Sequence, residues 1–134
     1  MLQMCKMKIV KVAAAVIIAD HRVFATQRGY GDYKDGWEFP GGKVQDGETS
    51  EEAICREIKE ELETEIRPGK LIRTIEYDYP DFHLSMDCFL CTIVTGDLVL
   101  VEHEAACWLD KDSLYTVDWL PADREILEDV KTYL

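Results

Sequence analysis

The chain has 134 residues, 47% of them hydrophobic and without repeat or low-complexity tract, the composition of one globular domain, 1–134, able to bury about two thirds of its unfolded surface. Its formal net charge of -12, from 27 acidic against 15 basic side chains, argues against DNA or RNA as a partner, because a polyanion is bound by Lys and Arg that displace its counterions. A small anionic substrate escorted by a cation is still compatible.

The five cysteines, Cys5, Cys55, Cys88, Cys91 and Cys107, are an odd set that reads as free thiols in a reducing compartment. Cys88 and Cys91 have C-x-x-C spacing but fall in a β-rich run, where positions i and i+3 face opposite sides, which argues against a metal or redox pair. No run of about eighteen apolar residues is present, and residues 1–8 lack the apolar core of a signal peptide. The expectation is a cytoplasmic protein with no membrane partner.

In chain order, residues 9–19 contain Val-Ala-Ala-Ala-Val-Ile-Ile-Ala, which predicts a central strand buried on both faces. Asp20-His21-Arg22 is a turn, and 23–27 the returning strand. Arg28 opens a Gly- and Tyr-rich loop to Gly36. Residues 37–39 form a short strand entering a Pro40-Gly41-Gly42 turn, with Lys43 and Val44 beyond it. A helix is expected over about 50–62. Arg67-Pro68-Gly69 reads as a second turn. Residues 70–79 then form a strand with Leu71, Ile75, Tyr77 and Tyr79 on one side. Pro80-Asp81-Phe82 turns the chain into a strand over 83–95, with Leu84, Met86, Cys88 and Leu90 on one face, completing an antiparallel hairpin. Thr95-Gly96-Asp97 turns again, 98–101 is short and apolar, and 102–104 is an acidic loop. A strand over 105–109 precedes a short helical turn at 110–114. An amphipathic helix over about 122–133 carries Ile126, Leu127, Val130 and Leu134. The fold class expected is mixed α/β, of the α+β kind, with a mixed sheet between helices.

The stretch carrying chemistry runs from Glu38 to Thr64. Glu57, Glu60 and Glu61 stand at i, i+3 and i+4, so they share one face of the helix, where like charges repel unless a cation lies among them. Magnesium suits carboxylate oxygens, and manganese is the alternative; the Cys and His ligands favoured by zinc are absent from the stretch. An acidic helix face is more often a solvated surface. Here the stripe Ile54, Ile58 and Leu62 anchors the opposite side, Thr49 and Glu52 have capping-box spacing, and the Pro-Gly-Gly turn stands just upstream, where backbone can approach a ligand.

Gly42, then Glu48 after five residues, then Arg56-Glu57-Ile58-Lys59-Glu60-Glu61 after seven more, is an order that resembles the Nudix hydrolases. The resemblance extends through Thr-Gln-Arg before the loop, Trp-Glu-Phe-Pro-Gly-Gly-Lys at the turn, Glu-His-Glu-x-x-x-Trp after the hairpin and Leu-Pro-Ala-Asp before the last helix. These look like the MutT branch, most similar to CTP and 8-oxo-dGTP pyrophosphohydrolases. The resemblance implies an α/β/α sandwich and cleavage of nucleoside triphosphates to monophosphate and pyrophosphate. It also implies metal binding by Glu57, Glu60, Glu61, Glu102 and the Gly41 carbonyl. Glu48 and Arg56, with Gly42, would brace the motif; Arg28 would contact phosphate; Glu38, Phe39, Lys43, Tyr79 and Asp123 would complete the substrate site.

Bound cations would bridge the phosphates and acidify a water, with Glu57 as the general base and Glu102 its rival. Asp123 matches a base-reading position. As an ionised acceptor it would favour the amino group of cytosine or the donors of guanine, although a helix N-terminus accounts for an Asp there equally well. Phe39, Tyr79 and Trp119 could stack on the base, or belong to the core. One departure stands out: the glycine that ends the family's helix motif is replaced by Glu63, followed by Thr64. That should cost about 1 kcal/mol or change how the helix ends. The alternatives are hydrolysis of a nucleoside diphosphate-linked compound such as ADP-ribose, and a non-catalytic nucleotide-binding module. The expected assembly is a monomer or homodimer.

Overall fold

The computed structural model describes residues 8–101, 103 and 105–134, so Cys5 and Glu102 lie outside the described residues. Strand β1 (Lys8–Ala19) is the spine. It pairs in parallel with β6 (Phe82–Thr95) from Lys8↔Phe82 to Ile17↔Cys91. On its other edge it pairs antiparallel, first with β4 (Gly41–Lys43) and then with β2 (Arg22–Gln27). Outside β6 lies β5 (Glu65–Asp78), and β2 carries both β3 (Trp37–Glu38) and β7 (Ala105–Leu109). The parallel pairing of β1 with β6, beside the antiparallel pairings of the other described strands, makes the sheet mixed, as expected.

Alternation along β1 builds two cores. Ala13, Ala15 and Ile17 join Phe24, Phe89 and Cys91 under α1 (Ser50–Leu62), which contributes Ala53, Ile54, Ile58 and Leu62. Ala14 and Val16 join Val23, Leu84, Met86 and Cys88 on the opposite face, covered by α2 (Pro121–Arg124) and α3 (Leu127–Lys131) through Ala122, Leu127 and Val130. Alanines on β1 let α1 approach closely. Ile54, Ile58 and Leu62 are fully buried, each removing apolar surface worth roughly 1.5–3 kcal/mol. Cys88 and Cys91 face different cores as buried thiols, the pKa of Cys91 pushed up to about 12 by burial.

Three expectations are corrected and one is refined. Arg67-Pro68-Gly69 is not a turn: β5 runs through it, with register shifts between Pro68 and Leu71 and between Leu71 and Arg73. Proline is tolerated there because β5 is an edge strand and the irregularity spares its missing N–H. The same shifts put Leu71 out of phase with Ile75, Tyr77 and Tyr79, leaving it exposed while Ile72 packs on the core. The short helical turn expected at 110–114 is a hydrogen-bonded turn that does not become a helix: the Ser113 N–H reaches the Asp110 carbonyl at 3.3 Å, while the Asp110 side chain accepts from the N–H groups of Asp112 and Ser113 and from the Ser113 hydroxyl, competing with helix formation. The C-terminal helix is two short pieces. Its N–H groups at Glu125 and Ile126 bond three residues back, and the Glu125 carbonyl accepts from Arg73 Nη2 at 2.7 Å.

Candidate active site

Helix α1 begins where the sequence places it. Thr49 and Glu52 exchange both capping-box hydrogen bonds, fixing the phase of every later side chain. With Ile54, Ile58 and Leu62 locked inward, Arg56 points along the opposite face toward the turn. Its guanidinium grips Glu48 with two nitrogens, at 2.7 and 2.9 Å, and reaches the Lys43 carbonyl at 3.0 Å. Nη1 also donates to Glu57 Oε1 at 2.9 Å and Glu60 Oε2 at 3.3 Å. Glu48 is fixed from the other side by the Gln45 N–H, and the Arg56 fork, helped by that N–H, holds its pKa down at about 2. One arginine thus ties helix, loop and strand β4 together.

Gly42 is required by this packing. A Cβ there would land on the Glu57 carboxyl group, so the bare backbone of the turn is what lets that carboxyl lie against it. Glu57 is 16% exposed at its side chain, whereas Glu60 is 60% exposed, so the shared helix face is only partly turned toward the turn. Among the described residues no three carboxylate, imidazole or thiol side chains converge as a metal cage. The Glu57, Glu60 and Glu61 carboxylates and the main chain of the turn are nonetheless oxygen donors, which fit a hard divalent cation.

Beyond the turn, two clefts of about 420 and 350 Å³ share Arg28, Glu38 and β4 as a wall. The second reaches Glu61 and His103, at the carboxylate end. The first is apolar and aromatic, lined by Tyr33, Phe39, Tyr79, Phe82 and Met86 with Asp123 at its base. Lys43 opens onto both.

Several candidate substrate residues have prior partners. Arg28 gives Nε and Nη2 to Glu38, at 3.0 and 2.8 Å, and Nη1 to the Asp32 carbonyl at 2.9 Å, so it is a strut between loop and turn, with its fork engaged. Asp123 is buried at 5% exposure, and its Oδ2 accepts the Phe39 N–H at 2.9 Å across 84 residues of sequence. Burial, with the Glu38 charge nearby, pushes its pKa up to about 8. These surroundings favour the neutral carboxyl, able to donate as well as accept, over the ionised, accept-only Asp123 expected from the sequence. Trp119 does not line the cleft. It donates Nε1–H to the Leu114 carbonyl and packs on Phe39, with ring centroids 4.6 Å apart, so its role is in the core. Tyr79 lines the cleft, its hydroxyl accepting from the Ala122 N–H.

A NUDIX domain model matches residues 8–130. The chain belongs to the Nudix family. Among its relatives, an 8-oxo-dGTP diphosphatase of Proteus vulgaris is 39% identical over 98 residues, covering 72% of this chain and 86% of the relative. A CTP pyrophosphohydrolase of Escherichia coli is 31% identical over 135 residues, covering 91% of each chain. The crystal structure of a MutT Nudix hydrolase from Burkholderia pseudomallei superposes with a TM-score of 0.84 at 29% identity, covering 92% of this chain and 98% of that one. As a Nudix hydrolase the chain is an enzyme, and the mixed sheet between helices is the Nudix fold.

The sequence reading missed Tyr33, Asp32, His103, Phe82 and Leu120 as cleft residues. For Tyr33 a signal existed, an aromatic in a glycine-rich loop next to Arg28. Phe82 reads only as part of the Pro80-Asp81-Phe82 turn, and Leu120 stands in the Leu-Pro-Ala-Asp stretch, of which Asp123 alone was taken as a site residue.

Proposed function

We propose that this Nudix hydrolase cleaves nucleoside triphosphates to the monophosphate and pyrophosphate, with magnesium, or manganese in its place, as the metal. The observation that carries the reading is adjacency: the carboxylates of α1 and the aromatic cleft meet across the Gly41-Gly42 turn, so one extended substrate can place phosphates at one and a base in the other. The relatives named for 8-oxo-dGTP and CTP support the same substrate class.

Cations held at this end would neutralise the polyphosphate and acidify the attacking water. Glu57, Glu60 and Glu61, with the Gly41 carbonyl and Glu102, are the proposed ligands. Glu57 is proposed to take the proton from water, held through Oε1 by Arg56 so that its carboxyl stays against Gly42. Lys43, on the wall common to both clefts, faces the phosphates, while Arg28 and Glu38 shape that wall as a pair. Phe39 and Tyr79 supply apolar surface to the base. Asp123 reads it as a neutral carboxyl, satisfied by an edge with a donor beside an acceptor. Guanine and cytosine offer such an edge, and so does uracil, so Asp123 alone does not reject uracil.

The test is pyrophosphate release from CTP, dCTP, GTP, UTP, ATP and 8-oxo-dGTP with magnesium or manganese, beside AMP release from ADP-ribose. Pyrophosphate from at least one triphosphate, abolished by EDTA, is expected; cleavage of ADP-ribose alone overturns the reading. In the same assay Glu57→Gln should lose about 10²–10⁴-fold in rate, the range of a positioned acid or base. Near-normal turnover at saturating magnesium would pass the role to Glu102.

A further inference from the structure

The loop from Arg28 to Gly36 does more than connect β2 to β3. It is closed at its base by a backbone ladder, with Arg28 N–H to the Gly36 carbonyl at 2.9 Å and Asp35 N–H to the Arg28 carbonyl at 2.8 Å. Two side chains add to this: Arg28 Nη1 on the Asp32 carbonyl and Gln27 Nε2 on the Asp35 carbonyl. Gly36 packs so tightly that a Cβ would run into Leu120, which seats the loop on the start of α2. So anchored, the loop holds Tyr33 at a positive φ of 61°, and the Tyr33 carbonyl accepts from the Gly36 N–H at 2.9 Å. A tyrosine is disfavoured in that left-handed region. The residue is 45% exposed, yet its ring lines the aromatic cleft, edge-on to the Tyr79 ring with centroids 5.4 Å apart. A large ring kept half in water at a cleft mouth forgoes burial that a ligand could complete.

We propose that Tyr33 is a specificity-determining residue whose ring forms the outer wall of the nucleobase site and covers the base once it enters. This rests on the nucleotide reading above and deepens it. The ring supplies a π-face that any base can meet, and a purine, with the larger face, gains more from it than a pyrimidine. Tyr33 therefore biases the site toward purines, a bias that the Asp123 hydrogen bonds do not supply.

The experiment is calorimetric titration of GMP, CMP and ribose 5-phosphate into the metal-free chain in EDTA. Tyr33→Ala is expected to weaken GMP roughly ten-fold, within the range of one aromatic–base stack, CMP by less, and ribose 5-phosphate by under about two-fold. Tyr33→Phe should bind GMP within about two-fold of the native chain, while Tyr33→Leu, similar in bulk but without a π-face, should resemble Tyr33→Ala. Equal losses for GMP and ribose 5-phosphate, or native GMP affinity in Tyr33→Leu, overturns the proposal. Because these are binding measurements without metal, they are independent of the pyrophosphate assay. Tyr33-dependent GMP binding in a chain that hydrolyses no triphosphate would sink the proposed reaction and leave this inference standing.

Discussion

The carboxylate end and the cleft end of the site are built in opposite ways. At the carboxylate end, the contacts come from a continuous stretch of chain. Arg56, Glu57 and Glu60 are neighbours on one helix, and Glu48, Gly42 and Lys43 all lie within eighteen residues of them. At the cleft end, each decisive contact joins distant segments: Phe39 to Asp123, Tyr79 to Ala122, and Tyr33 to Tyr79. The first end is charged and held by ion pairs; the second is apolar, with one buried acid. A local, electrostatic site can be pre-shaped by a single helix, whereas the cleft exists only after the C-terminal segment has docked.

The largest effect should come from breaking the local end. Arg56→Lys keeps the charge but cannot hold Glu48 with two nitrogens while also reaching Lys43 and Glu57. Loss of an orienting partner of this kind costs roughly 10–100-fold in activity or metal affinity, and pyrophosphate release against magnesium concentration would measure it. The acid limb of stability gives a second reading. Glu48 is depressed from 4.5 to about 2 in the folded chain, so its contribution is present above about pH 4.5 and is lost as pH falls toward 2. The stability gap between native and Arg56→Lys chains should therefore close over that interval. A gap that stays constant from pH 6 to 2 would mean that the pair contributes no stability.

The cleft end breaks with the opposite sign. Asp123 has its folded pKa raised from 3.8 to about 8, so its contribution is complete below about pH 3.8 and is lost as pH rises toward 8. Asp123→Asn retains an oxygen for the Phe39 N–H and cannot ionise. Relative to the native chain it should gain stability steadily between pH 4 and 8, as read by urea unfolding at pH 5, 6.5 and 8. A pH-independent difference would show that Asp123 is charged in the fold, and would restore it as an accept-only reader of the base.

This contrast also explains what was legible in advance. Capping box, inward stripe and carboxylate face are fixed by spacing on one helix, and α1 spans Ser50–Leu62 as read. The central strand was equally clear, because alanine and β-branched residues in an unbroken run have no solvated face to offer. Pairing irregularities in β5, the break between α2 and α3, and the depth of Asp123 depend on long-range partners such as Arg73 with the Glu125 carbonyl. Local periodicity carries no trace of those. The pairing of Arg28 with Glu38 was hidden for the same reason: the two become adjacent only when β3 pairs with β2.

The smallest effect lies where the local end terminates, at the position lacking the expected glycine. Glu63 adopts the left-handed conformation that a glycine would take there, φ 50° and ψ 39°, with its N–H on the Lys59 carbonyl at 3.1 Å. The helix thus ends in the usual manner despite the residue. The following segment secures the end: the Leu62 carbonyl accepts from the Val99 N–H and the Thr64 hydroxyl, the Glu61 carbonyl accepts from the Val101 N–H, and Thr64 Oγ1 in turn takes the Leu98 N–H. These contacts hold an exposed glutamate in a conformation costing about 1 kcal/mol. Glu63→Gly relieves that strain but loosens the unfolded chain, so the net gain should be about 0.5–1 kcal/mol, a rise of a few degrees in Tm by calorimetry. Glu63→Asn, which tolerates the left-handed region better than Glu, should fall between the two. A lower Tm in Glu63→Gly would mean that the glutamate side chain itself holds the exit from α1, and that the local end, too, depends on more than one helix.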